Sequence, residues 1–376
     1  MTEHEVLPVI IDNGSGTIKA GISGESEPQF HFSTTVGVAK YPVVLTADTH
    51  RDYYISNQDF AKAGVLNISY PIHHGIINDW DGIEKIWHQI IYKDLKVEPG
   101  EHPFFFVDSQ NYTIEQREKI ASIIFEKFNA PSIYFQSDAT LNLLAAGRTS
   151  GLIVSSGEGI TSITAIFEDY KIPQASQLNK MAGGTLTSYL IKKLGSDNLS
   201  HHTSVPRIIA QEIKETLCYA AEDYQAELQK AKSGDSIKQE YTYPDNQKLS
   251  LNELRFKVPE FFFHPHIWGC ELKGIHQLIF ESIMKSDLHV RKELYSNIIL
   301  AGGNTMFPGF EKRLEKELSG LAPSGVNINV YAPPERKYAA WIGASFLSKF
   351  AQFPKMVITR NEFNEEGQTA ISKKCP

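Results

Sequence analysis

Two short glycine turns carry the residues of this sequence best suited to chemistry. Near the start, Val9-Ile10-Ile11 runs into Asp12-Asn13-Gly14-Ser15-Gly16-Thr17, and Ile18, Ala20 and Ile22 follow in alternation. Further on, Leu152-Ile153-Val154 runs into Ser155-Ser156-Gly157-Glu158-Gly159-Ile160, with Ile163 and Ile166 after it. A Gly-x-Gly turn between two strands lets backbone N–H groups converge on a phosphate, because no side chain blocks the approach. Ser15 adds a hydroxyl and Lys19 a cation. Asp12, at the end of its strand, supplies a carboxylate for Mg²⁺ held through water, since hard cations take oxygen ligands and keep several waters. Either turn alone also reads as a plain β-hairpin with a surface lysine; the matching pair weighs against that.

A third glycine site follows the strand-like run Ile298-Ile299-Leu300-Ala301. There Gly302-Gly303-Asn304-Thr305-Met306-Phe307 leads into a helix through Phe310, Leu314 and Leu318. Bare glycines before a helix start offer flat backbone to a base or a phosphate. Pro333-Pro334-Glu335-Arg336-Lys337-Tyr338 precedes another helix and brings a cation. Other chemistry has little support. No Gly-x-Ser-x-Gly elbow occurs, and Cys218 reads as core within an amphipathic helix. The histidines at 73, 74, 201, 202, 264 and 266 come in pairs without metal-ligand spacing.

The elements that must position these turns are legible from periodicity. Each glycine turn implies a buried strand and a returning strand, and the two similar units suggest a duplication. Helical apolar spacing spans 79–94 (Trp80, Ile83, Ile86, Trp87, Ile90, Ile91) and 113–128 (Ile120, Ile123, Ile124, Phe128), with Thr113 as N-cap. Pro103-Phe104-Phe105-Phe106-Val107 reads as a strand between them. Strands alternating with helices imply an α/β fold with a partly parallel sheet. The stretches 40–52 and 230–239 read as surface loops.

Composition sets the frame. The 376 residues hold 37 basic against 44 acidic side chains, a formal net charge of −7, with 41% hydrophobic and 11% aromatic residues. That is an ordinary globular chain, not a disordered one, and it is large enough to bury its own core without disulfides. Mild acidity without basic blocks speaks against nucleic acid as main partner. Cys218, Cys270 and Cys375 lie far apart without CxxC spacing, which fits a reducing compartment. No run of about 18 apolar residues is present to span a membrane. The acidic Met1–Glu5 stretch does not read as a secretory signal, nor Cys375 as a prenylation box, so the expected location is the cytoplasm and its cytoskeleton.

The three glycine sites, in this order, resemble those of the actin family, and the resemblance runs along nearly the whole chain. It includes Lys19-Ala20-Gly21, Tyr70-Pro71-Ile72 with His74-Gly75-Ile76, Trp80-Asp81, and Glu84-Lys85-Ile86-Trp87-His88. Gly147-Arg148-Thr149, Ile213-Lys214-Glu215 with Leu217-Cys218-Tyr219, Gly274-Ile275-His276 and Trp341-Ile342-Gly343 continue it. The resemblance implies an actin-like ATPase fold: a duplicated, two-lobed α/β architecture of four subdomains with a nucleotide cleft between the lobes. The implied subdomains are 1–33, 71–145 and 339–376; 34–70; 146–181 and 271–338; and 182–270. It implies ATP or ADP with Mg²⁺ or Ca²⁺, Asp12 holding the metal through water. The implied nucleotide residues are Gly14, Ser15, Gly16, Lys19, Gly157, Glu158, Gly159, Gly183, Lys214, Glu215, Gly303, Met306, Phe307 and Lys337.

The catalytic positions depart from the family pattern. An aspartate normally opens the second hairpin; Ser155 stands there. A histidine of the proton relay is replaced by Ser162, and the glutamine that touches the attacking water by Asp138. The following acidic position is Glu158, one methylene longer than usual, and Gln211 replaces an arginine on the adenosine side. Phosphoryl transfer to water rests on positioned charge, and single groups of this kind are worth ~10²–10³-fold in rate. Nucleotide binding with slow or absent hydrolysis is therefore expected. Turnover rescued by Asp138 is the alternative, and a small-molecule kinase of the same ATPase superfamily a remote one.

The resemblance also implies self-association into filaments, or membership of a complex with other actin-family and cytoskeletal subunits. The loop 40–52 keeps its apolar tip Val44-Leu45, and Phe263–Gly269 corresponds to the plug region between filament strands, with Ile267 and Trp268 at its tip. Val38, Lys40, Asp169, Lys349 and Pro354 depart from the family at filament or partner surfaces. Leu347, Phe350 and Met356 lie in the cleft where actin-binding proteins dock, and the acidic N-terminus is reduced to Glu3 and Glu5.

Overall fold

The computed structural model describes residues 6–40, 52–55, 66–196, 207–234, 237–243 and 246–375. Val44, Leu45, Glu3, Glu5, His201 and His202 lie outside them. The chain divides into two compact units, Met1–Arg148 with Tyr338–Pro376, and Thr149–Lys337.

The first unit is built on a hairpin of β1 (Val9–Asn13) and β2 (Thr17–Ile22), antiparallel, with β3 (Phe30–Ser33) beyond β2. On its other side β1 runs parallel to β4 (Phe104–Asp108), which runs parallel to β5 (Ser132–Ser137). The short strand Ile358–Thr359 closes this edge, giving six strands. Val9, Ile10, Ile11 and Phe104 to Phe106 are fully buried, as expected of central strands covered on both faces.

Helix α1 (Trp80–His88) starts on Asp79, whose carboxylate accepts from the Gly82 N–H at 2.9 Å. The periodicity read over 79–94 continues as a π-helical turn over Gln89–Leu95 and stops at Lys96, which has φ of 56°. Helix α2 (Ile114–Glu126) is capped by Thr113, as its sequence predicts. Helix α3 (Asp138–Ala145) follows β5 directly and crosses the helix Ala339–Leu347 in backbone contact. A Cβ at Gly343 would lie 2.0 Å from the Leu141 carbonyl oxygen, so only glycine fits that crossing.

The second unit repeats the plan. Strands β6 (Gly151–Ser156) and β7 (Thr161–Phe167) form the hairpin, and β8 (Tyr170–Lys171) and β9 (Gln177–Asn179) pair with β7. On the other side β6 runs parallel to β10 (Ile298–Ala301), and β10 to β11 (Val330–Tyr331). The strand order 3-2-1-4-5 of the first unit thus returns as 8-7-6-10-11 in the second. The duplication read from two glycine turns extends to whole sheets.

Helices of the second unit include α4 (Gly183–Ser196), α5 (Arg207–Leu217), α6 (Tyr224–Ser233), α7 (Leu254–Glu260), α8 (Ile275–Met284) and α9 (Phe310–Ser319). Cys218 is core, as expected, but it follows α5 rather than lying inside a helix. The stretch 230–239, read as a loop, starts instead inside a helix: α6 runs through Ser233 and is capped at Gly234, whose φ of 83° is left-handed. Helices α7 and α9 are tied by a buried pair: Arg313 donates to Glu260 at 2.7 and 3.0 Å and to Glu317 at 2.7 Å. Next to this pair, His264 lies 2.6 Å from Glu260 at the base of the 263–269 segment.

That segment folds back on its own unit. Trp268 stacks between Tyr189 and Phe261, with ring centroids 3.5 and 4.2 Å apart, while Ile267 is exposed. Of the two tip residues, one is packing and one is surface. In the turn between β7 and β8, Glu168 and Asp169 both adopt left-handed backbone, with φ of 49° and 67°. Asp169 holds there a conformation that glycine takes more cheaply.

Candidate functional site

The first glycine turn is fixed by its own bonds. Gly14 N donates to Asp12 O at 3.1 Å, and the carbonyls of Gly14 and Gly16 accept from the Thr34 hydroxyl (2.7 Å) and the Thr34 N–H (3.0 Å). A Cβ at Gly14 would stand 2.4 Å from the Thr17 carbonyl oxygen, so the turn requires glycine. The Ser15 hydroxyl oxygen accepts from Gly75 N at 2.9 Å and keeps its own proton for another acceptor. Asp12 and Lys19 face each other across the hairpin and form a half-buried ion pair of 2.9 Å. Among the described residues, nothing is bonded to the N–H groups of Ser15 and Gly16.

The second turn is fixed in the same way from different elements. Gly157 N closes it onto Ile160 O at 3.0 Å. The Gly157 carbonyl accepts from Gly183 N (2.9 Å) and from the Asn304 amide, and the Glu158 carbonyl from Gly184 N (2.8 Å). As in the first turn, protein donors take the carbonyls, and the Glu158 N–H has no partner among the described residues. In the first turn the consecutive N–H groups of Ser15 and Gly16 left over while the carbonyls are occupied form a concavity that favours an anion, and the Glu158 N–H offers one such donor in the second.

Around this turn the structure gathers Glu158, Gly183 and Lys214, together with three residues the sequence reading did not single out. Arg207 donates to Glu158 Oε1 at 2.7 Å, and Lys214, 2% exposed, to Glu158 Oε2 at 3.3 Å. Lys214 also donates to Gly183 O (3.1 Å) and to the Thr187 hydroxyl (3.0 Å). Asn304 reaches the Ser156 hydroxyl at 3.0 Å. Space is tight: a Cβ at Gly183 would lie 2.7 Å from Glu158 Oε2 and 2.8 Å from Asn304 Oδ1. Arg207 stands seven residues before Lys214, two helical turns, so helix periodicity carried a signal for it.

The Gly302-Gly303 loop splits into two roles. Gly302 has φ of 83°, and a Cβ there would come within 2.3 Å of the Ser156 carbonyl oxygen; at Gly303 a Cβ would meet nothing within 4 Å. Met306 is exposed, whereas Phe307 is buried in the core of the second unit. Beside Lys337, Arg336 organises the nearby backbone, donating to Thr305 O (3.0 Å), Pro333 O (2.8 Å) and Ala332 O (3.2 Å). Glu215 is exposed on α5 and accepts from Gln211 at 3.0 Å.

At the three substituted positions, Ser155 and Ser162 are cross-strand partners on β6 and β7, with Ser162 buried. Asp138 opens α3, and its Oδ1 accepts from Ala139 N at 2.8 Å. Elsewhere, Leu347 and Met356 pack partly on the core of the first unit, while Phe346 and Phe350 stay exposed in edge-to-face contact at 5.6 Å. No group of three or more metal-ligating side chains occurs among the described residues, and no described helix is long and apolar enough to cross a membrane.

Each unit carries a glycine hairpin at the same place in its sheet order, and the second unit also carries the Gly-Gly loop. A comparison with protein-family models matches residues 3–376 to the actin family. The chain belongs to the actin family.

Proposed function

We propose that this protein binds an adenine nucleotide with a divalent cation, hydrolyses it slowly or not at all, and serves as a filament subunit or a structural member of a cytoskeletal complex. The observation that carries the reading is the common state of the two glycine turns. In each, the carbonyls are taken by protein donors while the N–H groups of Ser15 and Gly16, or of Glu158, have no partner among the described residues. Such turns suit the phosphates of a nucleotide, and the Ser15 hydroxyl and Lys19 add donors beside the first.

The donor set fits a cation bound mainly through water and phosphate. Asp12 offers one carboxylate, already partnered by Lys19, and no cluster of three protein ligands stands among the described residues. Mg²⁺ suits such a site, because it is commonly held by one or two carboxylates plus substrate phosphates. When bound, the cation would offset phosphate charge.

Slow hydrolysis follows from what the positioning residues lack. Ser155 and Ser162 carry no charge, and the Glu158 carboxylate is engaged by Arg207 and Lys214. Asp138 is the remaining carboxylate of the set, and one of its oxygens already serves its own helix turn.

The test is to release and identify the nucleotide of the purified protein, then follow phosphate under polymerising salt. Stoichiometric ATP without phosphate release supports the reading. Bound ADP with steady turnover would assign Asp138 the role of the missing groups. ATP consumption stimulated by a sugar, with ADP and a sugar phosphate formed and no free phosphate released, would point to a kinase.

A further inference from the structure

We infer that Arg207 is a positioning residue for phosphate binding: with Lys214 it holds the Glu158 carboxylate and thereby fixes the second glycine turn. The inference rests on the nucleotide reading above and adds to it a residue that contributes no backbone to either turn.

The turn is clamped from two sides. Its main chain is fixed from the start of α4, where Gly183 N and Gly184 N donate to the carbonyls of Gly157 and Glu158 at 2.9 and 2.8 Å. Its side chain is fixed from α5, where Arg207 and Lys214 take one Glu158 oxygen each. The two cations are not equivalent. Lys214 reaches Glu158 at 3.3 Å and shares its three protons with Gly183 O and the Thr187 hydroxyl. Arg207 makes the shorter bond, 2.7 Å, and braces itself on the Ser188 hydroxyl at 3.2 Å. A guanidinium presents its donors in a fixed plane, so it sets the carboxylate's direction as well as its charge.

The longer Glu158 side chain makes this bridge, and the residue it anchors is the one whose own N–H is left for an anion. Removing Arg207 leaves the carboxylate on the longer Lys214 bond. The turn must then be reordered each time a phosphate binds, and a preorganised donor loses its advantage when it has to be ordered first.

The experiment measures ATP, ADP and adenosine affinity by displacement of a fluorescent ATP analogue from the full-length protein and from Arg207→Ala, Arg207→Lys, Glu158→Gln and the Arg207→Ala/Glu158→Gln double variant. Arg207→Ala is expected to weaken ATP and ADP alike by about tenfold, the size of one charge-assisted hydrogen bond, and to leave adenosine within about twofold. Arg207→Lys should recover part of the loss, and the double variant should be no weaker than the worse single one. Equal weakening of all three ligands would mean that Arg207 only supports the fold, and would overturn the inference. Unchanged ATP affinity in Arg207→Ala would overturn it as well, with the nucleotide reading intact. A wild-type protein that binds no nucleotide would overturn both.

Discussion

Gly302 and Gly303 are neighbours in one motif, yet they should respond to alanine in opposite ways. Gly302 has φ of 83° with ψ of 159°, a conformation essentially confined to glycine that costs an ordinary residue roughly 1–3 kcal/mol. Its added Cβ would also lie 2.3, 2.7 and 2.9 Å from the oxygen, carbon and nitrogen of Ser156. Those are backbone atoms at the end of β6, so no rotamer change relieves them, and overpacking of this kind costs roughly 1–3 kcal/mol. Gly302→Ala should therefore destabilise the second unit by about 2–6 kcal/mol and push the loop off the second glycine turn. Gly303→Ala meets no atom within 4 Å and no unfavourable φ, so its stability should stay within about 0.5 kcal/mol of wild type. If a nucleotide lies against the flat Gly303 backbone, that variant should lose nucleotide affinity at unchanged stability. Thermal and urea unfolding of both variants, with ATP affinity measured beside them, gives the four numbers needed. Equal destabilisation by the two substitutions would refute the reasoning, as would a stable Gly302→Ala.

Acid sensitivity should trace partly to His276, which is buried with its Nδ1 unpartnered and faces His264, Arg313 and Glu317. Burial lowers its pKa to about 4, so the unfolded chain takes up the proton first; stability falls as pH drops from about 6.5 to 4, by about 3 kcal/mol in all, and His276→Gln should flatten urea-unfolding curves across that window. Burial also pushes the Cys218 thiol up to about 12 and that of Cys375 up to about 11, leaving half-buried Cys270 as the thiol a reagent at pH 8 modifies first. Mass spectrometry before and after urea checks that order, and fast modification of Cys218 in the folded protein would contradict it. Ser155→Asp with Ser162→His should raise phosphate release above either single change by more than the product of their separate effects, because the two side chains are cross-strand partners. Hydrolysis by the unaltered protein as fast as by the double variant would remove the case for slow turnover.

The sequence disclosed the parts of this fold governed by local pattern. Alternation marked both hairpins, Thr113 marked the start of α2, and Ala301-Gly302 marked the end of β10. What stayed hidden depends on partners far apart in the chain. Helix periodicity puts Arg207 on the face of Lys214, but its partner Glu158, 49 residues away, is not legible from that pattern. Trp268 has the bulk of an exposed tip, and only the arrival of Tyr189 and Phe261 on its two faces decides that it is packing. The two glycines of the third site look alike as letters, and the proximity of the Ser156 backbone separates them. The π-helical turn after α1 was equally hidden, since apolar spacing over a few residues does not distinguish it from α-helix.

The duplication explains why the charge pattern of the two turns differs in a structured way. Asp12 and Lys19 are ladder partners across the first hairpin, and the corresponding partners across the second are Ser155 and Ser162. One copy carries an ion pair where the other carries two hydroxyls. Putting a carboxylate at position 155 alone would place a charge in a partly buried strand end with no cation opposite, which is costly; two serines leave neither strand with an unmatched charge. The charged carboxylate of the second turn is instead Glu158, three residues further on, and its counter-charges come from α5 rather than from the facing strand. The carboxylate that the second hairpin keeps is thus tied to the helical side of its own unit, where Arg207 and Lys214 neutralise it. That arrangement is what the proposed reading of nucleotide binding with slow hydrolysis rests on in this turn, because its one carboxylate already has two partners.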